Sequence, residues 1–263
     1  MDMEYVYWER RSDHPQVAQI VLNREEVLNA FNTAMAEQLI EVCHELRELK
    51  DVRVVGVRSS NSKAFCTGAD LKERNSLDDD QWLEQHRIFQ NMFNSLAKLP
   101  MPTIAVIDGY ALAGGMELAL NCDFWIVSNR SILGLPEASR GIMPGGGSTR
   151  LLAKRIGIHR AKEIILTGRK FTAEEINSMG LCNRLVAPDE IDREFITLAE
   201  TISHNAPLAV QLCKTAIDEL FTLPERDARL REIEFYNQCI ATEDRYEGIR
   251  AFNEKRDPHF VGA

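Results

Sequence analysis

No stretch of the sequence approaches the ~20 consecutive apolar residues that a membrane-spanning helix needs, which excludes a helical transmembrane protein. The first 14 residues lack a basic stretch followed by an apolar run, so neither a secretory signal nor a transit peptide is expected. Basic residues are in the minority, 31 against 40 acidic ones, for a net charge of -9. That balance argues against a generic nucleic-acid binder, whose affinity comes from clustered Lys and Arg. A polyanionic ligand would need a local basic pocket. There is no C-x-x-C pair among Cys43, Cys66, Cys122, Cys182, Cys213 and Cys239, and most fall in patterns of buried faces. Reduced structural thiols, and with them a cytoplasmic location, are the expectation. The six histidines form no H-x-H or H-x-x-x-H pair, so no metal site is expected. Also missing are the G-x-S-x-G nucleophile elbow, the G-x-x-x-x-G-K-[ST] phosphate loop and a G-x-G-x-x-G turn after a strand. Nucleotide hydrolysis and dinucleotide-dependent chemistry are thereby disfavoured.

What is present is an ordinary core-forming composition, 44% hydrophobic and 27% charged over 263 residues, enough for one large domain or a domain with an appendage. Val17–Leu22, Val52–Arg58, Thr103–Ile107 and Asp123–Val127 are apolar runs of strand length. Met35, Leu39, Val42, Leu46 and Leu49 recur at helical spacing, and a short helix is predicted to begin at Gly114-Gly115. This strand–helix–strand rhythm favours an α/β architecture with a largely parallel sheet. Beyond Ser148 the segments 149–156, 159–167, 173–179, 190–203, 207–221 and 227–240 all carry helical periodicity, interrupted at Leu185-Val186. Pro207 and Pro224 stand where new helices begin.

Three segments put small residues where a backbone must bend or approach something closely: Lys63–Asp70, Gly109–Glu117, and Pro136-Glu137 leading to Pro144–Gly147. Each taken singly is equally well a turn between elements. A helix starting at Gly114 would leave its first amides unbonded and attractive to negative charge. A further N–H from the Gly68-Ala69 turn, converging on the same point, would give two donors for an oxygen that becomes negative during reaction. Glu117 falls on the first turn of that helix, where an acid also serves simply as a dipole partner. Glu137 closes an apolar run and is equally readable as a solvated loop acid.

The sequence resembles the enoyl-CoA hydratase, or crotonase, family. The resemblance is carried by Ala64–Glu73 (AFCTGADLKE), Pro102–Ala105, Asp108–Leu112, Glu117–Leu120 followed by Cys122-Asp123, Pro136-Glu137, Gly141–Gly145 and Leu166–Gly168. It starts at Leu22-Asn23-Arg24 with Leu28-Asn29-Ala30 and ends at Glu254-Lys255-Arg256, so it spans nearly the whole chain in order. It implies an α/β crotonase spiral of repeated ββα units over residues 1–195, carrying the active site. A helical region, 196–263, is then expected to mediate trimers, commonly paired into hexamers, and to cap the active site.

By the same resemblance the reaction is that of a lyase, adding water across the 2,3 double bond of a 2-enoyl-CoA to give a 3-hydroxyacyl-CoA, as in fatty-acid β-oxidation. The oxyanion donors fall on the N–H groups of Ala69 and Gly114, the acid/base pair on Glu117 and Glu137, and a water-positioning N–H on Gly145. Conjugate addition puts negative charge on the thioester oxygen, which paired N–H donors stabilise. Glu117 is assigned the water that attacks C3, and Glu137 the proton delivered to C2. Coenzyme A belongs to the substrate, and no permanently bound cofactor is implied. Its contacts are expected along Leu28, Ala30, Lys63, Ala64, Ala69, Asp70, Leu71 and Lys72, with Phe252 and Lys255 reaching a neighbouring subunit's nucleotide.

Three positions depart from the family pattern: Ala113 and Ser148 stand where glycine is usual, and Thr67 where alanine is. The family also hosts isomerases and other acyl-CoA enzymes on one scaffold, so fold does not fix the reaction. The paired glutamates favour hydration. Gly68–Arg74 also resembles the 3-methylglutaconyl-CoA hydratase type, which leaves an acidic or branched substrate open. One branch of that type binds RNA through a lysine-rich helix, but Glu41–Arg53 here holds four acids against three bases, which favours an enzyme.

Overall fold

The computed structural model describes residues 5–263; the first four residues of the N-terminal segment lie outside it. The strands are β1 (Val6–Arg10), β2 (Val17–Leu22), β3 (Val54–Ser59), β4 (Ala64–Cys66), β5 (Thr103–Ile107), β6 (Tyr110–Leu112), β7 (Phe124–Ser128), β8 (Ile132–Gly134), β9 (Lys170–Thr172) and β10 (Arg184–Val186). The helices are α1 (Thr33–Glu48), α2 (Leu71–Arg74), α3 (Asp79–Ala97), α4 (Gly114–Leu120), α5 (Ser148–Ile156), α6 (Ile158–Thr167), α7 (Ala173–Ser178), α8 (Ile191–Ser203), α9 (Pro207–Leu220), α10 (Glu225–Ile240) and α11 (Glu243–Glu254).

Two sheets carry the fold, in the order β1-β2-β3-β5-β7-β10 and β4-β6-β8-β9. Each of the pairs β3-β4, β5-β6 and β7-β8 gives its first strand to the larger sheet and its second to the smaller, and helices follow before the next pair begins. This repeated ββα winding is the crotonase spiral expected from the sequence. Within the spiral the neighbours are parallel; β1 and β9 pair antiparallel at the sheet ends. The larger sheet is buried on both faces because its residues alternate between two cores. Ala18, Ile20, Leu22, Val55, Val57, Ala105, Ile107, Trp125 and Val127 face the main core shared with α1 and α3. Val17, Val54, Ile104, Val106 and Ile126 face the other way, onto Ile191, Phe195 and Ala199 of α8. Helix α8 therefore packs on the sheet as one unit across position 195, where the boundary between spiral and helical region was expected.

Strands β2, β3, β5 and β7 and helices α1 and α4 to α10 lie within a few residues of their sequence positions. The sequence shows no period for the three-residue strands, β1 or α11, and of the 19-residue α3 only the helical setting of His86. Helix α3 begins on a reciprocal capping box between Asp78 and Gln81. Among α9, α10 and α11 few residues are buried, while Ile217, Phe221, Leu230, Ile233, Tyr236, Tyr246 and Phe252 are exposed.

The start of α4 is the tightest point. A Cβ on Gly115 would stand 2.0 Å from the Cys66 carbonyl oxygen, and one on Gly114 2.5 Å from the Phe31 ring, so neither position has room for a side chain. Ala113, just before, has φ 53° and ψ -130°, a conformation hostile to a Cβ. Its N–H donates to the Gly134 carbonyl (2.9 Å) and its carbonyl accepts from Glu117 N–H (3.1 Å), which hold it there. Ala113→Gly is expected to raise stability by about 1 kcal/mol, the relieved strain outweighing the added chain entropy. A higher melting temperature by calorimetry is the expected outcome; a lower one would show that the methyl group packs favourably.

Candidate active site

A cleft of about 810 Å³ opens between α3, the start of α4 and the loop from Pro136 to Arg150. Ala69, Leu71, Gly114, Glu117, Glu137 and Gly145 all line it, so six of the residues singled out in the sequence meet there.

Ala69 is bridged in parallel to Phe31, through Phe31 N–H to the Gly68 carbonyl (2.8 Å) and Asp70 N–H to the Phe31 carbonyl (2.9 Å). That pairing uses the groups on either side of Ala69 and leaves its own N–H turned away from Phe31. Gly68 makes the turn with φ +95°, and a Cβ built on it would lie 3.0 Å from Gly114 N, so the two backbones are adjacent. Gly114 N–H, in the first turn of α4, has no acceptor among the described residues, nor has Ala69 N–H. Two free amides thus come together where α4 begins.

Glu117 is 3% exposed. Its Oε1 accepts from Gly146 N–H (2.7 Å), Ser148 N–H (3.3 Å) and Ser148 Oγ–H (2.7 Å), whereas Oε2 receives no donor among the described residues. One oxygen is anchored and the other is left for a ligand. Asn121 fixes the same loop by donating to the Gly146 carbonyl (2.9 Å), and Gln90 donates to the Gly145 carbonyl. Gly145 N–H has no acceptor among the described residues, and a Cβ there would strike the His86 ring at 2.5 Å.

Glu137 is 6% exposed and its Oε2 is buried without a hydrogen-bond partner. Burial, seconded by the nearby charge of Glu117, pushes its carboxyl up to about 7, against the pull of its own backbone amide and of Arg140. The two acids therefore differ by environment: one is bonded to three donors, the other is dry and shares a proton with the medium near neutrality.

The remaining expected contacts lie elsewhere. Leu28, Asn29 and Ala30 form a loop with φ 56° and 55° at Leu28 and Asn29. The loop is stitched to β4 by Asn29 Nδ2 to the Phe65 carbonyl (3.0 Å), Cys66 Sγ to the Asn29 carbonyl (3.0 Å) and Thr67 Oγ1 to the Leu28 carbonyl (3.2 Å). The hydroxyl of Thr67 thereby gains a structural account. Asp70 caps α2 and pairs with Arg24 at 2.7 Å; Ala64 is buried, and Lys63 and Lys72 are exposed and without ion pairs among the described residues. Phe252 and Lys255 are exposed at the end of α11. None of Leu28, Ala30, Lys63, Ala64, Asp70, Lys72, Phe252 and Lys255 lines the cleft. Sequence reasoning missed Gln90, Asn121 and the bond from Ser148 to Glu117, since a single polar residue on a helix or loop carries no signal of what it will meet.

The chain matches the model of the enoyl-CoA hydratase/isomerase family over residues 13–263. It is 39% identical over 250 residues to the mouse mitochondrial enoyl-CoA hydratase domain-containing protein 2, covering 94% of this chain and 84% of that one. With the putative enoyl-CoA hydratase/isomerase YngF of Bacillus subtilis it shares 41% identity over 246 residues, 94% of this chain and 95% of that one. The crystal structure of an enoyl-CoA hydratase from Bacillus anthracis superposes with a TM-score of 0.95 at 37% identity, covering 99% of this chain and all of that one (100%). The chain belongs to the enoyl-CoA hydratase/isomerase family.

Proposed function

We propose that the protein is a hydratase that adds water to a 2-enoyl-CoA thioester. The observation carrying this reading is the pair of unlike acids, Glu117 and Glu137, facing one cleft that also presents the free amides of Ala69 and Gly114. In this reading the thioester oxygen accepts from those two N–H groups. Glu117 Oε2 takes a proton from the water whose oxygen bonds to C3, and Gly145 N–H helps hold that water. The charge moves through C2 onto the thioester oxygen, and Glu137 then gives its proton to C2. Water is consumed whole: its hydroxyl goes to C3 and its other proton to Glu117, and the proton lost by Glu137 is replaced by the one Glu117 gained. The pair ends the cycle, as it began it, carrying one proton.

Coenzyme A enters with the substrate, and the reading asks for no resident metal or cofactor. The Leu28–Ala30 loop with Ala64, Ala69 and Asp70 offers backbone groups to pantetheine. Lys63, Leu71 and Lys72 stand exposed beside it, the lysines without competing carboxylates for phosphates. The exposed apolar faces of α9 to α11, with Phe252 and Lys255 at their end, support self-association into trimers or hexamers. Sedimentation is expected to give three or six times the mass of one chain; a monomer at micromolar concentration would refute that part.

Loss of hydration, followed by the fading enone absorbance of crotonyl-CoA or a branched analogue, is expected in Glu117→Gln and Glu137→Gln, by roughly 10²–10⁴ in kcat. Unchanged turnover in either removes that residue from the chemistry. Glu137→Gln also supplies a folding control. An acid that ionises near ~4.3 when unfolded and about 7 when folded weakens the fold as pH rises between those values, so the variant gains melting temperature over wild type at pH 8 more than at pH 4.

The pair's single proton sets the pH dependence. Above an alkaline limb at about 7, kcat/KM for hydration is expected to fall roughly tenfold per pH unit as that proton is lost. Dehydration of the 3-hydroxyacyl-CoA must fall in parallel, since both directions use the same protonation state of the pair. Separate limbs for the two directions, or a flat profile to pH 9, would contradict a shared proton.

A further inference from the structure

Arg74 is the one arginine buried among the described residues, 8% exposed, and it lines the cleft. Its guanidinium lies 4.1 Å from the centroid of Trp82 and 5.1 Å from that of Phe89. Nε donates to Gln85 Oε1 (3.0 Å), and the Gln85 amide is in turn fixed by donating to Glu73 (2.7 Å) and to Thr33 Oγ1 (2.9 Å). The guanidinium is therefore held in place, yet no carboxylate lies within ion-pair distance and its two terminal nitrogens reach no acceptor among the described residues. Arg24, Arg53 and Arg58, which are less buried, spend theirs on Asp70, on the Ser203 and Phe260 carbonyls, and on Asp192.

A fixed cation with no carboxylate in contact is costly to bury, and burial, outweighing the charge of nearby Glu73, pulls Arg74 below the ordinary arginine range. A hydrocarbon tail filling the cleft would strip away its remaining water and give nothing back. A carboxylate would satisfy both terminal nitrogens in the plane of the guanidinium. Arg140 and Arg150 also line the cleft, so three arginines face two glutamates, one of them largely neutral below pH 7. Resting on the reading of the cleft as an acyl-CoA site, we propose that it takes acyl groups ending in a carboxylate, and that Arg74 is the residue that recognises that end.

The test uses saturated thioesters, which bind but cannot be hydrated. Dissociation constants of glutaryl-CoA and pentanoyl-CoA, and of adipyl-CoA and hexanoyl-CoA, are measured by calorimetry; within each pair only the chain end differs. The wild type is expected to bind the carboxylate member of at least one pair ~10-fold or more tighter, as suits a charge-assisted bidentate contact. Arg74→Gln is expected to bring that ratio close to one, with Arg74→Lys retaining part of it. A wild-type ratio of one or below in both pairs overturns the proposal without any variant. An Arg74→Gln variant that weakens both members equally also overturns it, assigning Arg74 to a phosphate of coenzyme A or to holding α2 against α3. The hydratase reading fails separately: a carboxylate preference without turnover of the matching 2-enoyl thioester would sink hydration and leave the Arg74 assignment standing.

Discussion

Everything in the cleft depends on how closely the first turn of α4 is pressed against β4. Gly115 sits on the Cys66 carbonyl, Gly114 on the Phe31 ring, and Gly68 beside Gly114. Because no side chain intervenes, the backbone of Gly114 lies beside that of Gly68, next to Ala69, and Glu117 follows in the first turn of α4. The parallel bridge between Phe31 and Ala69 completes the arrangement by tying up the groups that flank the Ala69 amide. A methyl group on Gly115 would push the helix away from the strand and separate Gly114 and Glu117 from Ala69 at once. The spiral provides the frame: successive ββα turns place the ends of β4, β6 and β8 side by side in the smaller sheet, so that the loops leaving them share one cleft.

Within that frame the two glutamates are made unlike by what surrounds them rather than by what they are. Glu117 is bonded on one oxygen to two amides and a hydroxyl. Glu137 has an oxygen with nothing to bond and a carboxyl raised by burial. Ser148 matters here because, where the family usually has glycine, it adds a donor to Glu117 that a glycine lacks. The departure thus deepens the asymmetry on which acid/base chemistry by two identical side chains relies.

The larger elements were legible in the sequence because their apolar residues repeat over several turns or alternations. Those of β2, β5 and α1 each meet a continuous core. Strands β4, β6 and β8 were not, being three residues long and bounded by turns, too short to show a period. Glu117, Glu137, Ala69, Gly114 and Gly145 were placed by family resemblance, and their meeting in one cleft is a finding of geometry. The residues that hold them were illegible: Gln90, Asn121 and Gln85 are single amides whose partners lie far along the chain or across a helix. Arg74 ends the Gly68–Arg74 motif, and nothing in its sequence neighbours announces that it will be buried.

The cleft also gathers groups that folding normally pairs. The amides of Ala69, Gly114 and Gly145, Glu137 Oε2, the free oxygen of Glu117 and the terminal nitrogens of Arg74 are all left without partners among the described residues along one surface. Of these, Glu137 Oε2 is buried and unpaired, which costs on the order of 1–3 kcal/mol, and the strained backbone of Ala113 adds to the total. A fold tolerates such a concentration where the two-sided core under the larger sheet supplies stability elsewhere. The pattern of what is left open matches the ligand of the proposed reaction: an oxygen between two amides, a water near Glu117, a carbon that accepts a proton beside Glu137, and a carboxylate in the plane of the Arg74 guanidinium. Three of those requirements belong to the proposed conjugate addition of water to a thioester, and the fourth, as proposed for Arg74, selects among thioesters.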